Sequence, residues 1–422
     1  MAALRSPSAF PIRGLVSLSE ARSLDANDPL AFARERFRVP DGLIYLDGNS
    51  LGALPVATPA EVDALIHNQW GEDLIASWNK HGWIDAPVRV AAKLSPIVGA
   101  KPDELLIADS TSVCLFKLLA AAVRARPDRR AIVTQDGNFP TDTYVAEGLA
   151  EMLGLKLRRA ASANIEAAID DDTAAVLLSH VDYRSGEKLD MRLINDAARS
   201  AGALVVWDLS HSAGAVDLDL NGSGSELAVG CGYKYLNGGP GAPAFIYVAK
   251  HLQAELQPPL QGWMGHAEPF AFEESYRPTG GIARFLTGTP SIIALAALSA
   301  GIDTFAGVAM ADVEAKSRAL LALFIDEVET RCGNEVQLFG PRDLSERGSH
   351  VCFAHAQGYA VMQALIARGI VGDFRAPELM RFGFTPLYTR FEDSWRAADA
   401  LSDILATREW DQPRFLGRRK VT

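Results

Sequence analysis

Five short apolar runs fall between residues 104 and 249: ELLIA (104–108), RAIVTQ (130–135), AAVLLSHV (174–181), ALVVWDLS (203–210) and APAFIYVA (242–249). The first leads into STSVCLFKLLAAAVRA and the second, after a loop, into YVAEGLAEMLG, both with helical patterning. Strand-like runs alternating with helical ones predict a mostly parallel sheet covered by helices, in a large α/β domain over about residues 60–290. At 422 residues the chain exceeds what one core usually serves, so a second domain is expected.

After Pro290 the texture changes. A long helical pattern, VEAKSRALLALFIDEVETRC, precedes VQLFG, GSHVCFAH, a helix through YAVMQALIARG, the strand-like LMRFGFTPLY and a final helix SWRAADALSDILA. This predicts a smaller α+β domain over 291–422, completed by the N-terminal segment 1–59. Neither an internal repeat nor a low-complexity linker interrupts the chain.

A 48% hydrophobic fraction with 8% aromatics supplies ample core, and a formal charge of −11 argues against nucleic-acid binding. Only Arg418–Lys420 is locally basic. Cys114, Cys231, Cys332 and Cys352 are far apart and form no CxxC pair, so neither a disulfide framework nor a zinc knuckle is expected. Reduced thiols suit a cytoplasmic enzyme. There is no HExxH, and His350 and His355 are badly spaced for one helix face, so no metal site is expected. The opening MAALRSPSAFPIRGL is broken by Pro7 and Pro11, and no run approaches the roughly 18 residues of a membrane span, so a soluble, unexported protein is expected.

Chemistry gathers where strands end. GCGYKYLNGGPGAP (230–243) brackets Lys234 with two tyrosines and then runs into glycines. Such a lysine is either a solvated loop residue or an amine kept nucleophilic for imine formation. In VVWDLSH, Asp208 follows a buried-looking run, either as a turn aspartate or as a functional acid. An aspartate for a pyridinium nitrogen together with an imine-forming lysine is the pair that pyridoxal phosphate requires. Asp109–Ser112, DSTS, lies between a strand and a helix, where backbone N–H groups and the hydroxyls of Thr111 and Ser112 can face a phosphate or merely cap the helix. In GNFPTD, Phe139 can stack on a cofactor and Asp142 can line its polar edge, unless Pro140 marks only a loop.

GNSLG (48–52), FPTD (139–142), WDLSHSAG (207–214), YKYLNGGPG (233–241), GWMGH (262–266) and MRFGFTPLY (380–388) together resemble the kynureninases, pyridoxal-phosphate enzymes of the aspartate-aminotransferase fold type. The resemblance spans about residues 40–395. It implies hydrolysis of the Cβ–Cγ bond of L-kynurenine or 3-hydroxykynurenine to anthranilate or 3-hydroxyanthranilate and L-alanine, in tryptophan catabolism or pyridine-nucleotide (NAD) biosynthesis. It implies Lys234 as the imine-forming residue, Asp208 as the pyridinium partner, and His211 as a neighbour orienting that aspartate. Phe139, Pro140, Thr141, Asp142 and Ser179 match cofactor-contacting positions, and Tyr233, Trp263 and Thr289 match phosphate donors. Tyr233 is also a candidate proton carrier. Because the Trp263 and Thr289 equivalents come from the other subunit, a homodimer with shared active sites is implied. Arg381 matches the clamp on the substrate α-carboxylate, and Asn49 and Ser50 match positions near the substrate. Some relatives carry asparagine where this chain has Thr289, which leaves the ring preference open, with kynurenine expected over its 3-hydroxy form. The competing readings are a cysteine desulfurase-like lyase, which needs a mobile cysteine, and a non-catalytic pyridoxal-phosphate-binding module.

Overall fold

The computed structural model describes residues 15–418. Residues 1–14 and 419–422, which hold most of the proline-broken opening stretch and Arg419 and Lys420 of the basic tail, lie outside the described residues.

Seven strands form the principal sheet: β1 (Leu105–Ala108), β2 (Ala131–Gln135), β3 (Lys156–Ala160), β4 (Thr173–Ser179), β5 (Leu204–Asp208), β6 (Leu227–Gly230) and β7 (Ala244–Val248). They lie in the order β1-β7-β6-β5-β4-β2-β3, with β7 antiparallel to both of its neighbours and the other pairs parallel. Sequence reasoning finds five of these strands. It passes over β3, whose KLRRA is polar because an edge strand is incompletely covered, and β6, a four-residue LAVG. Along β5, Leu204 and Val206 join one apolar cluster, whereas Val205 and Trp207 join the other. The sheet is therefore covered on both faces, as the alternation of strands and helices requires.

Two helices start just beyond the ends of β1 and β2. Helix α1 (Thr111–Arg124) is capped by the Ser110 side chain, which accepts from the Val113 N–H at 3.4 Å. Helix α2 (Pro140–Leu153) opens with proline in its first turn, where the missing N–H costs nothing.

A third apolar cluster gathers three more helices, α3 (Met310–Cys332), α4 (Gly358–Ala367) and α5 (Phe391–Thr407), with Ala21, Ile44 and Leu46 of the N-terminal segment. Against them lies an antiparallel sheet of β8 (Gln337–Phe339), β9 (His350–Ala354), β10 (Asp373–Arg375) and β11 (Leu379–Gly383), in the order β8-β9-β11-β10. The helix Ile292–Asp303 places Leu295, Leu298 and Ile302 in the cluster under the principal sheet. No helix among the described residues is long and apolar enough to cross a membrane.

Candidate active site

The parallel strands β2 to β6 end at one edge of the principal sheet, and β1, aligned with them through β7, ends there too. That edge carries Asp109–Ser112 after β1, Phe139 and Asp142 after β2, Ser179 at the end of β4, Asp208 at the end of β5, and Lys234 in the connection from β6 to β7. Carboxyl ends of parallel strands are where α/β sheets bind ligands.

Lys234 is 9% exposed, and its Nζ lies 3.0 Å from Nε2 of His211. The ring of Phe139 stands 5.8 Å from the same nitrogen and that of Tyr233 5.9 Å. Around this amine the glycines admit the loop's own backbone. A Cβ on Gly232 would lie 2.4 Å from the Pro243 carbonyl oxygen, and one on Gly238 2.7 Å from that of Gly232. Burial, followed by the charge on Lys234, drives the His211 imidazole well below its usual range, so the ring is neutral. The hydrogen bond of His211 is thus with the lysine, not with Asp208, the residue it was expected to orient.

Asp208 is 5% exposed and accepts from the Ser210 N–H at 2.8 Å. Asp142, 2% exposed, faces it. Burial first, and then the negative charge of Asp208, push the Asp142 carboxyl far above its ordinary value. Both influences favour the protonated form of Asp142. Ser179 donates to Oδ1 of Asn138 at 2.7 Å, and that same oxygen receives the Phe139 N–H at 2.7 Å.

Beyond the amine, a cavity of about 470 Å³ is lined by Ser110, Thr111, Tyr233, Thr287 and Thr289. The first turn of α1 opens onto it, with its uncommitted N–H groups and positive dipole end. Behind the turn, buried Lys117 pairs with Asp109 and donates to the Phe285 carbonyl at 2.8 Å, tying α1 to the segment that bears Thr289. His211 Nδ1, Asp142 Oδ2 and Thr287 Oγ1 are buried without partners. A buried amine, an acid pair and a helix N-terminus, with orphaned polar atoms among them, fit pyridoxal phosphate in imine, ring nitrogen and phosphate.

Arg381, on β11, is buried and surrounded by partners: Asp373 on β10, the Tyr183 carbonyl and Ser50. Asn49 is wholly buried against Gly383, with neither polar atom of its amide paired. His350, on β9, places its ring 5.2 Å from that of His211, linking this group to Lys234. Asp47, half-buried beside Asp373, is pushed up to about 7 by desolvation and then by that neighbour's charge.

The structure therefore brings together Lys234, Tyr233, Phe139, Asp142, Ser179, Asp208 and His211, with Thr111 and Thr289 around the adjoining cavity and Asn49, Ser50 and Arg381 beyond His350. Pro140, Thr141 and Ser112 occupy the first turns of α2 and α1. Trp263 stands apart: it is 38% exposed and packs edge-on against Phe270 at 5.7 Å. Sequence reasoning overlooked Asn138, Asp373, Asp47 and His350. Asn138 was within reach, inside GNFPTD, whereas Asp373 becomes visible only through the pairing of β10 with β11.

All four cysteines are free and buried. Burial raises the thiol of Cys352 to about 12 and that of Cys332 to about 11, the opposite of a reactive persulfide carrier.

Residues 313–401 match the family model described as the kynureninase C-terminal domain. The chain is 49% identical to the kynureninase of Pseudomonas fluorescens over 416 residues, covering 97% of this chain and 100% of that relative. With the kynureninase of Burkholderia mallei (strain SAVP1) it shares 50% identity over 411 residues, 96% of this chain and 99% of the relative. Among solved structures, it resembles a cysteine desulfurase from Thermococcus onnurineus NA1 with a TM-score of 0.75 at 20% identity, covering 89% of this chain and 98% of that one. It also resembles a lysine variant of C-DES, with glycine covalently linked to its pyridoxal-phosphate cofactor, at a TM-score of 0.74, 16% identity and coverage of 87% and 98%. At such identities these two share the fold alone, the pyridoxal-phosphate fold type I.

Proposed function

The chain belongs to the kynureninase family, and from that premise we propose that Lys234 carries the cofactor, Asp208 holds its ring nitrogen and Arg381 binds the substrate's α-carboxylate. The enzyme hydrolyses the Cβ–Cγ bond of L-kynurenine to anthranilate and L-alanine, and its cofactor is pyridoxal phosphate. The observation that carries the site reading is the buried Lys234 amine, 3.0 Å from a neutral His211, with Asp142 interacting both with it and with Asp208 at the end of β5.

When bound, the cofactor supplies an electron sink for charge that develops at the substrate's Cα and then at Cβ. Asp208 provides the fixed negative charge that keeps a pyridinium proton in place. Lys234 Nζ, as the free amine, takes the Cα proton, and His211 Nε2 orients that nitrogen by accepting one of its hydrogens. Burial raises the Tyr233 phenol, so it stays protonated and can donate at neutral pH, to a phosphate or to carbon in the later steps. Thr111, Ser112 and the first turn of α1 seat the phosphate, and Phe139 covers the ring.

The active unit is a homodimer in which Trp263 serves the partner's site, supported by the exposure of Trp263, Phe270 and Phe272 on one segment. Thr289, already beside Tyr233 in a single chain, borders the space for the aromatic ring, and kynurenine is preferred over 3-hydroxykynurenine. Thr289→Asn should change the ratio of kcat/KM for the two, and an unchanged ratio would remove Thr289 from that role. The protein acts in the cytoplasm, supported by its four free cysteines, in tryptophan catabolism or pyridine-nucleotide biosynthesis.

The deciding experiment is borohydride reduction of the holoenzyme followed by peptide mapping. The expected result is a label on Lys234 alone, and a Lys234→Ala variant that releases no anthranilate. A label on another lysine overturns the site.

A further inference from the structure

Arg381 does not present an open fork to its surroundings. Nε donates to Asp373 Oδ1 at 2.8 Å and Nη2 to Asp373 Oδ2 at 2.5 Å, while Nη1 donates to the Tyr183 carbonyl at 2.7 Å. Nη2 also donates to Ser50 Oγ at 2.9 Å, and Ser50 in turn donates to Asp373 Oδ2 at 3.0 Å. A guanidinium has five N–H hydrogens, so these contacts leave one, on Nη1. The Nε–Nη2 edge is closed by a two-toothed carboxylate. What remains for a ligand is the part of the fork away from Asp373, with one Nη1 hydrogen unspent and one Nη2 hydrogen held only by a hydroxyl.

This arrangement is built into the small sheet. Asp373 and Arg381 are directly paired residues of antiparallel β10 and β11, so their side chains share a face. Arg375, two residues along β10, also donates to Asp373 Oδ2, at 2.6 Å. The group therefore sets two guanidinia against the one carboxylate of Asp373 and keeps an excess of positive charge for an incoming anion. Fixing the plane of a long side chain in advance removes an ordering cost at the moment of binding.

We propose that Asp373 is the positioning residue for recognition of the substrate's α-carboxylate. By closing one edge of Arg381 it turns the remainder of the fork toward the substrate, so that selection for the carboxylate depends on Asp373 as well as on Arg381. This rests on the reading of Arg381 given above, and it extends that reading to a residue that touches no substrate.

The test compares kcat/KM of the holoenzyme for L-kynurenine and for its α-methyl ester, which lacks the carboxylate charge. The isosteric Asp373→Asn should lower the preference for the acid by about tenfold or more, the scale of one lost charge-assisted contact, through KM rather than kcat. The ester should be nearly unaffected, and the cofactor's absorbance retained. A purely structural role for Asp373 would depress acid and ester alike, and that result overturns the proposal. Arg381→Ala separates the two levels. Loss of the preference there, with Asp373→Asn unchanged, refutes the positioning role and keeps the clamp, whereas a retained preference in Arg381→Ala refutes the clamp and the proposal with it. Should Asp373→Asn not fold, Ser50→Ala decides: a fall in acid preference of several-fold supports the proposal, and an equal loss on both substrates overturns it.

Discussion

Two carboxyl groups that face each other inside a protein do not both stay charged, and here the environment decides which one yields. Burial and Asp208 favour the protonated form of Asp142, which Asn copies closely in shape, whereas Asn in place of Asp208 deletes the group proposed to hold a pyridinium proton. Asp208→Asn should slow Cα deprotonation by several orders of magnitude with the fold intact, while Asp142→Asn should cost far less. Single-turnover rates of both variants check the order, and comparable losses would mean that the proton sits elsewhere. A second consequence concerns Asp47. Its carboxyl, lifted to about 7 by desolvation and by Asp373, is neutral in acid and charged in base. Ionisation adds a negative charge beside Arg381 and Arg375 and cancels the excess that attracts a substrate anion. KM for kynurenine should therefore rise as pH climbs through about 7, and Asp47→Asn should flatten that rise. A KM profile identical in the two proteins would show that Asp47 does not report on the substrate.

Among elements, helix α1 does two jobs with one terminus: it opens its first turn to the cavity and is pinned from behind by Lys117. Lys117 is wholly buried, whereas the Asp109 side chain is 32% exposed, so water screens part of the pair. Lys117→Met should cost about 1–3 kcal/mol, mainly by leaving the Phe285 carbonyl without its donor. A lowered urea midpoint together with weakened cofactor retention is the expected outcome; unchanged retention would detach α1 from the phosphate seat. The elements also explain what could be read in advance. Asp208 and Lys234 were legible because each stands in a distinctive local sequence, an apolar run before one and two flanking tyrosines around the other. Strand β3 was not, since KLRRA at a sheet edge obeys solvent rather than a hydrophobic pattern. Strand β10 is only three residues long, and the value of Asp373 on it arises from register with Arg381, which no local pattern encodes. Tyr235 shows the same limit. It sits in YKY as a visible partner of Lys234, yet its hydroxyl reaches the Ser349 carbonyl at 3.1 Å and joins the lysine loop to the strand that begins at His350.

At the scale of the whole molecule, one chain assembles most of a site but leaves Trp263 outside it. The segment around Trp263 exposes Phe270 by 65% and Phe272 by 82%, more apolar surface than a short segment usually leaves in water. A second copy of the chain is the occupant that the proposed homodimer supplies, and the geometry permits a strict test of whether the site is shared. Consider a hybrid of one Lys234→Ala subunit and one Trp263→Ala subunit, purified through two different tags. If Trp263 acts across the interface, one site of the hybrid combines both defects and is dead, while the other combines an intact lysine with an intact tryptophan and works normally. If Trp263 acts within its own chain, each site carries one defect and neither is repaired. The Lys234→Ala parent should be inactive and the Trp263→Ala parent impaired at limiting pyridoxal phosphate, through a lost phosphate donor. The hybrid should then recover about half of the native turnover per dimer, because one of two sites is whole. Recovery no greater than that of the Trp263→Ala parent would place Trp263 in its own subunit's site or in none, and a monomer in analytical ultracentrifugation would rule out the shared site altogether.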